Sequence, residues 1–236
     1  MNRQVQTYGH FCLLARTLEQ VGDRWTMLVV RDLAHGPRRF TDLMDLLGGI
    51  TPKTLTQRLR DLEEAGIVAA DREPGRREVW YRLTPAGEEL IPALNHLLMW
   101  GLRHALRPPG PAEPAHPEHL LWALQATLED AGVSVSPVRW LVRVAGGDAY
   151  VLAFDGRHWA FSRDETDDAD VTITATRPAL ARFLACPPGA RTTEQPDLAI
   201  AGRDQAVRAL LEAIAVFPFG PASAPPLPDE EPIPGR

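Results

Sequence analysis

Lysine is nearly missing from this chain. Lys53 is the single one, so arginine supplies almost all of the 25 basic side chains. That bias favours bidentate contacts to phosphate and guanine over simple point-charge attraction. Cysteine is confined to Cys12 and Cys186, too few for a disulfide framework. No apolar run is long enough to span a membrane, and Met1 to His10 lacks the apolar core of a signal peptide. A cytoplasmic setting with no membrane partner is therefore expected. A Walker loop, a Gly-x-Ser-x-Gly elbow and a dinucleotide fingerprint are all lacking, so no enzymatic chemistry and no cofactor are expected. The seven histidines form no ligand set. His116 and His119 have i, i+3 spacing, but prolines surround them and no Cys or carboxylate cluster completes a metal site.

What is present fits two modest domains in 236 residues, with 44% apolar and 24% charged side chains. The net charge of -6 is unevenly spread. Residues 1–107 hold 15 Lys and Arg against 13 Asp and Glu, leaving +2; residues 108–236 hold 10 against 18, leaving -8. The first part is only mildly basic, so any affinity for nucleic acid depends on where its charges sit.

Thr51 to Gly66 carries the strongest local signal. Thr51 suits an N-cap, Pro52 the first turn, and Gly66 the stop. Leu55, Leu59 and Leu62 form one stripe at helical spacing, while Lys53, Gln57 and Arg60 point the other way. Long basic and amide donors on an outward helix face suit base reading in the major groove. Glu64 lies on the same side and repels phosphate, which confines the expected contact to the first two turns.

The neighbours of this helix extend the pattern. Cys12 to Val21 reads as a helix with Leu14, Leu18 and Val21 on one face. Trp25 to His35 reads as a second, with Trp25, Leu28, Val29 and Leu33 in a stripe. Thr41 is the expected cap of a third, Asp42 to Leu47, closed by Gly48-Gly49. A helix, a glycine turn and a helix with a polar reading face make a helix-turn-helix. Val68 to Arg72 and Val79 to Leu83 follow as strands around an arginine-bearing turn with Arg76 and Arg77, the expected wing. Thr84-Pro85 caps a helix to about Leu106, which Pro92 should kink or divide. Its Leu90, Leu94, Leu97, Leu98 and Leu102, with Trp100 beside them, are expected to meet a two-fold mate.

Residues 108–117 read as a proline-rich linker, 118–216 as a second domain, and 217–236 as a tail too rich in proline and acid to order. In the second domain Pro117 to Ala131 reads as a helix. Strands are expected at 138–144, 150–154, around Trp159 and Phe161, at 170–174 and at 198–201, with helices at 178–185 and 204–216. Asp155-Gly156 signals a two-residue hairpin.

Several ordered blocks of the first part resemble the HxlR-type winged-helix family of bacterial transcription regulators. These are the segment Cys12 to Thr26 with its Gly22-Asp23-Arg24-Trp25, the block Gly36 to Phe40, the block Ile50 to Leu59, and Tyr81-Arg82-Leu83-Thr84-Pro85-Ala86-Gly87. The resemblance covers about residues 8–104 and implies a homodimer on partly palindromic double-stranded DNA near promoters. One departure is Leu13, where the family usually carries proline after the first cysteine. Some relatives use the equivalent cysteine as a sensor, which makes Cys12 a candidate redox or electrophile switch. The second part is similar, more loosely, to the SCP2-type sterol-carrier fold through Asp170 to Thr174, the leucine-bearing helix after it, and Leu198 to Gly202 with a final helix; Gly202-Arg203-Asp204 departs from the usual Gly-Asp. That likeness implies helices on a curved sheet around an apolar tunnel.

The expected fold is thus α+β: a winged helix-turn-helix with a C-terminal dimerisation helix over 1–107, followed by a sterol-carrier-like sheet domain. The candidate DNA contacts are Arg38, Arg39, Thr51, Lys53, Thr54, Thr56, Gln57, Arg58, Arg60, Arg76 and Arg77. Trp140, Tyr150, Phe154, Trp159, Phe161 and Phe183 are the candidate lining of a cavity for an apolar effector, or simply the core of the sheet. A homodimeric regulator, a repressor in sign, is the expected function. The rival is a lipid-binding or carrier protein whose winged helix serves protein contacts.

Overall fold

Apolar residues at helical spacing build the first of two units. The computed structural model describes residues 7–72, 78–105, 116–185, 191 and 193–217. Packing divides the chain into units 1–96 and 97–236. This division falls within a helix; most of the expected linker lies outside the described residues, as do Cys186 and residues 218–236.

The first unit runs α1 (Leu13–Val21), α2 (Thr26–Leu33), β1 (Arg38–Arg39), α3 (Phe40–Leu47), α4 (Pro52–Glu64), β2 (Val68–Arg72), β3 (Val79–Leu83) and α5 (Pro85–Glu88), and α6 (Ile91–His104) carries the chain across the break. Val29, Val30, Leu33, Leu43, Leu55, Leu59, Leu62 and Val68 are fully buried and make its core. The sheet has the order β1-β3-β2 and is antiparallel throughout. Its third strand was not foreseen: Arg38 and Arg39 lie opposite Tyr81 and Trp80. The expected long helix after Thr84 is divided in two, and Pro92 sits in the first turn of α6, where its missing N–H costs nothing.

Two caps explain local sequence. Helix α3 starts at Phe40, ahead of the expected Thr41 cap, because the Asp42 carboxylate accepts the Arg39 backbone N–H at 2.9 Å. At Thr84 the hydroxyl accepts from Gly87 N–H at 3.2 Å and donates to the Gly66 carbonyl at 2.5 Å, tying α5 to the end of α4. Gly87 approaches the Ile67 carbonyl so closely that a Cβ there would collide with it.

The second unit runs α7 (Pro117–Asp130), β4 (Val138–Val144), β5 (Asp148–Phe154), β6 (Trp159–Ser162), β7 (Val171–Ala175), α8 (Arg177–Ala185), β8 (Glu194–Gln195), β9 (Leu198–Gly202) and α9 (Asp204–Ala213), ending in a 3₁₀ turn at Ile214–Val216. The sheet order is β6-β5-β4-β7-β9-β8, with β4 and β7 parallel and the other pairs antiparallel. A parallel neighbour needs a crossing connection. Here it is the acidic segment 163–170, which Arg139 and Arg143 of β4 hold through Asp168 at 3.0 Å and Glu165 at 2.8 Å. Trp140, Val142 and Val144 alternate with those arginines and pack with Leu121, Leu124 and Leu128 of α7 in one core. The β5–β6 turn spans four residues, 155–158, not two. The Asp155 carboxylate accepts the backbone N–H groups of Arg157 and His158 at 2.7 and 2.8 Å, and these bonds, that of His158 foremost, hold its carboxyl below the ordinary range. Buried Arg191 donates to the carbonyls of Phe183, Leu184 and Ile214, closing the ends of α8 and the 3₁₀ turn.

Candidate nucleic-acid interface

Helix α4 has a packed face and an open one. Thr51 caps it, its hydroxyl accepting from Thr54 N–H at 3.2 Å, and Pro52 opens the first turn. Leu55, Leu59 and Leu62 are buried, while Lys53, Arg60 and Glu64 are exposed and Gln57 is half-buried. Lys53 and Arg60 have no ion-pair partner among the described residues.

The other basic candidates divide sharply. Arg58 is 8% exposed and is tied to Asp61 at 2.5 Å and Asp23 at 3.4 Å. It lies beside the leucine stripe, one position from Leu59, and serves as an internal tie rather than standing on the open face where it was expected to meet DNA. Arg38, also expected at the DNA, is buried too, its Nε donating to the Asp32 carbonyl at 3.3 Å. Arg39 is half-buried, stacked 4.6 Å over the Trp80 ring and 3.1 Å from Glu78, so its charge is already answered. Arg76 and Arg77 lie outside the described residues.

Among the threonines, Thr56 donates its only hydroxyl proton to the Pro52 carbonyl at 2.8 Å, leaving none for a phosphate. Thr51 and Thr54 bond each other at 2.8 Å, which uses one of their two protons. Two wing arginines that sequence reading did not single out, Arg72 and Arg82, are paired with Glu63 at 2.9 Å and Asp71 at 3.1 Å. The bond to Glu63 raises the Arg72 pKa further, and burial raises that of Tyr81 beside it, so the phenol stays neutral. The open face of this region therefore comes down to Lys53, Gln57 and Arg60, with one Thr51 or Thr54 proton.

The HxlR-like helix-turn-helix family matches residues 20–108. An uncharacterized HTH-type transcriptional regulator of Mycobacterium tuberculosis is 45% identical over 101 residues, 42% of this chain and 62% of that relative. The chain thus spans less than two thirds of that relative. YtcD of Bacillus subtilis, also described as an uncharacterized HTH-type transcriptional regulator, is 36% identical over 94 residues, covering 39% of this chain and 73% of YtcD. The chain belongs to the HxlR-like family. A solved structure of the regulator YtcD is 35% identical, covers 41% of this chain and 99% of its own, and has a TM-score of 0.38.

Outside α4, the structure gives places to two further sets of expected residues. Of the leucines assigned to a two-fold mate, Leu94 and Leu102 are buried in the chain's own packing. Leu98 packs on the core of the second unit, and Leu90 is half-buried after α5. Leu97 alone of the five is exposed, with Trp100 at 59%. The larger open apolar face is on α1 instead, where Leu13 and Leu14 (66%) and neighbouring Phe11 (91%) face outward and Leu18 is 41% exposed; of the expected Leu14, Leu18 and Val21 face only Val21 is buried. Cys12 caps α1 and is an exposed free thiol.

Among the described residues, the candidate cavity lining is closely packed. Trp140, Tyr150, Phe154, Trp159 and Phe183 are buried, with Trp159 packed 4.8 Å from Trp140 and 5.0 Å from Phe154, and Phe161 stacked 5.7 Å from Tyr150. The void among Leu121, Trp140, Phe183 and Leu210 has a volume of about 10 Å³, room for about one water molecule. Burial and the neighbouring Glu118 carboxylate keep the Tyr150 phenol protonated. The six aromatics lie, among the described residues, in or against the core of the sheet. Among the described residues, no cluster of His, Cys, Asp or Glu could hold a metal ion, and no helix is long and apolar enough to cross a membrane.

Proposed function

We propose that the protein is a sequence-specific DNA-binding transcription regulator that acts as a homodimer, with α4 in the major groove. The observation that carries this reading is the selective freedom of Lys53 and Arg60. The nearby Arg39, Arg58, Arg72 and Arg82 are all held by carboxylates, yet among the described residues these two stand unpaired on the open face around Gln57. Family membership supports the same role. The exposed apolar face of α1 favours a second copy as partner, since a patch of Phe11, Leu13 and Leu14 is unfavourable in water.

The test is binding of the full chain to duplexes covering its own promoter region, measured by fluorescence anisotropy across a salt series. Lys53→Ala and Arg60→Ala are each expected to weaken binding to all sequences and to lower the salt slope by about one. A full chain that binds no duplex at low salt would overturn the reading and favour the rival carrier role. Repression follows if the bound site overlaps a promoter.

For the second unit we propose a sterol-carrier-like module. Its helices packed on one face of a sheet support this. Native mass spectrometry of the purified protein tests for an apolar ligand. Cys12, exposed at the start of the proposed dimer helix, is the proposed oxidant-responsive residue; a Cys12→Ser protein that still loses DNA affinity with peroxide would exclude it.

A further inference from the structure

Gln57 stands on the open face of α4, and its amide is not free to turn. Nε2 donates to Asp61 Oδ1 at 2.7 Å, one helical turn on. A carboxylate only accepts, so the amide nitrogen must face it and Oε1 must be turned away. Asp61 Oδ2 lies 2.5 Å from Arg58 Nη2, and Arg58 Nη1 reaches Asp23 at 3.4 Å. At about 100° per residue, Gln57, Asp61 and Arg58 pass around the helix from its open face to its packed one. The chain of bonds anchors the reading side chain to the turn before α2, and Arg58 neutralises Asp61, which would otherwise repel phosphate.

We propose that Asp61, held by Arg58, is a positioning residue that locks the Gln57 amide so that this helix prefers adenine at one base pair. The inference rests on the DNA-binding reading above. The locked amide offers Oε1 as acceptor and its second Nε2 hydrogen as donor. In the major groove adenine presents the complement, an N6 amino donor beside the N7 acceptor. Guanine presents two acceptors, so its O6 would meet Oε1 without a proton between them. Cytosine supplies one donor and thymine one acceptor. An unrestrained glutamine could flip its amide to meet an acceptor, and the bond to Asp61 removes that option.

The experiment is selection from a randomised duplex library by the full-length protein, its Gln57→Ala, Asp61→Ala and Asp61→Asn variants, each checked by thermal melting. Wild type is expected to prefer adenine at one position by about tenfold or more. Asp61→Ala and Gln57→Ala should both flatten that position to less than about threefold, with the salt slope unchanged because no cation is removed. Asp61→Asn keeps an oxygen for Arg58 and turns its amide nitrogen towards Gln57. The Gln57 amide then inverts, and the preference should move from adenine to guanine. Should Asp61→Ala fail to fold, Asp61→Asn still decides. A wild-type site whose preferences survive Asp61→Asn, or show no adenine at the position that Gln57→Ala relaxes, overturns the positioning role alone. A wild-type protein that selects no duplex overturns the DNA reading with it.

Discussion

Arg58 is held between Asp61 at 2.5 Å and Asp23 at 3.4 Å, whereas Lys53, five residues earlier on the same helix, meets only solvent. Their substitutions should separate stability from binding. Arg58→Ala leaves two partly exposed carboxylates facing a buried gap. It should cost about 2 kcal/mol in urea denaturation, less than the loss of a fully buried pair because Asp23 and Asp61 keep some water. Lysine at 58 would recover only part, since an ammonium cannot serve both acids with a planar fork. Lys53→Ala should leave the urea midpoint unchanged. At this scale the sequence separates basic from acidic side chains but not free from tied ones. Helical spacing turns Arg60 outward and Arg58 towards the leucine stripe, but only the approach of Asp23, 35 residues upstream, ties Arg58 to another element.

Helices and strands were largely legible because each carries its own period and punctuation. Strands β2 and β3 fall where alternation put them, and α4 lies between its threonine cap and the glycine that follows its last turn. The elements that escaped are those made by pairing. Strand β1 is two arginines recruited by Tyr81 and Trp80, and β8 is two residues recruited by β9. No intrinsic preference of two residues could announce either. The Asp155 turn grew from two residues to four because its carboxylate caps two backbone N–H groups. Gly87 belongs to this scale as well. Its backbone lies against the Ile67 carbonyl and accommodates no Cβ, so Gly87→Ala should destabilise the protein by about 2 kcal/mol through displacement of α5. Urea denaturation measures that loss, and an unchanged midpoint would contradict the close packing.

The second unit, 97–236, carries 12 Lys and Arg against 18 Asp and Glu, leaving -6, and packs around aromatics, whereas the first, 1–96, balances 13 against 13 and leaves an apolar helix uncovered. If α1 is the face that meets a second copy, Leu14→Glu should convert a dimer to a monomer in size-exclusion chromatography with light scattering. DNA affinity should fall at least tenfold, because each half-site is then bound alone. A Leu14→Glu protein that stays dimeric would move the contact elsewhere, with Leu97 and Trp100 as the next candidates. The leucines expected to serve that purpose look equivalent on a helical wheel. Leu98 faces the core of the second unit, and Leu94 and Leu102 are covered within the chain itself.

The sequence by itself determined the order of the longer helices and strands, the capped α4 with Lys53, Gln57 and Arg60 on one side, and the division of charge between the two parts. Those properties depend on residues near one another in the chain, so spacing suffices to read them. Which arginines remain available, how Gln57 is held, which leucines stay exposed, and whether the aromatics of the sheet enclose a space or fill it were decided only by the tertiary structure. Each depends on a partner brought close by folding, such as Asp23 to Arg58 or Trp159 to Trp140, and the distance along the chain carries no record of that meeting.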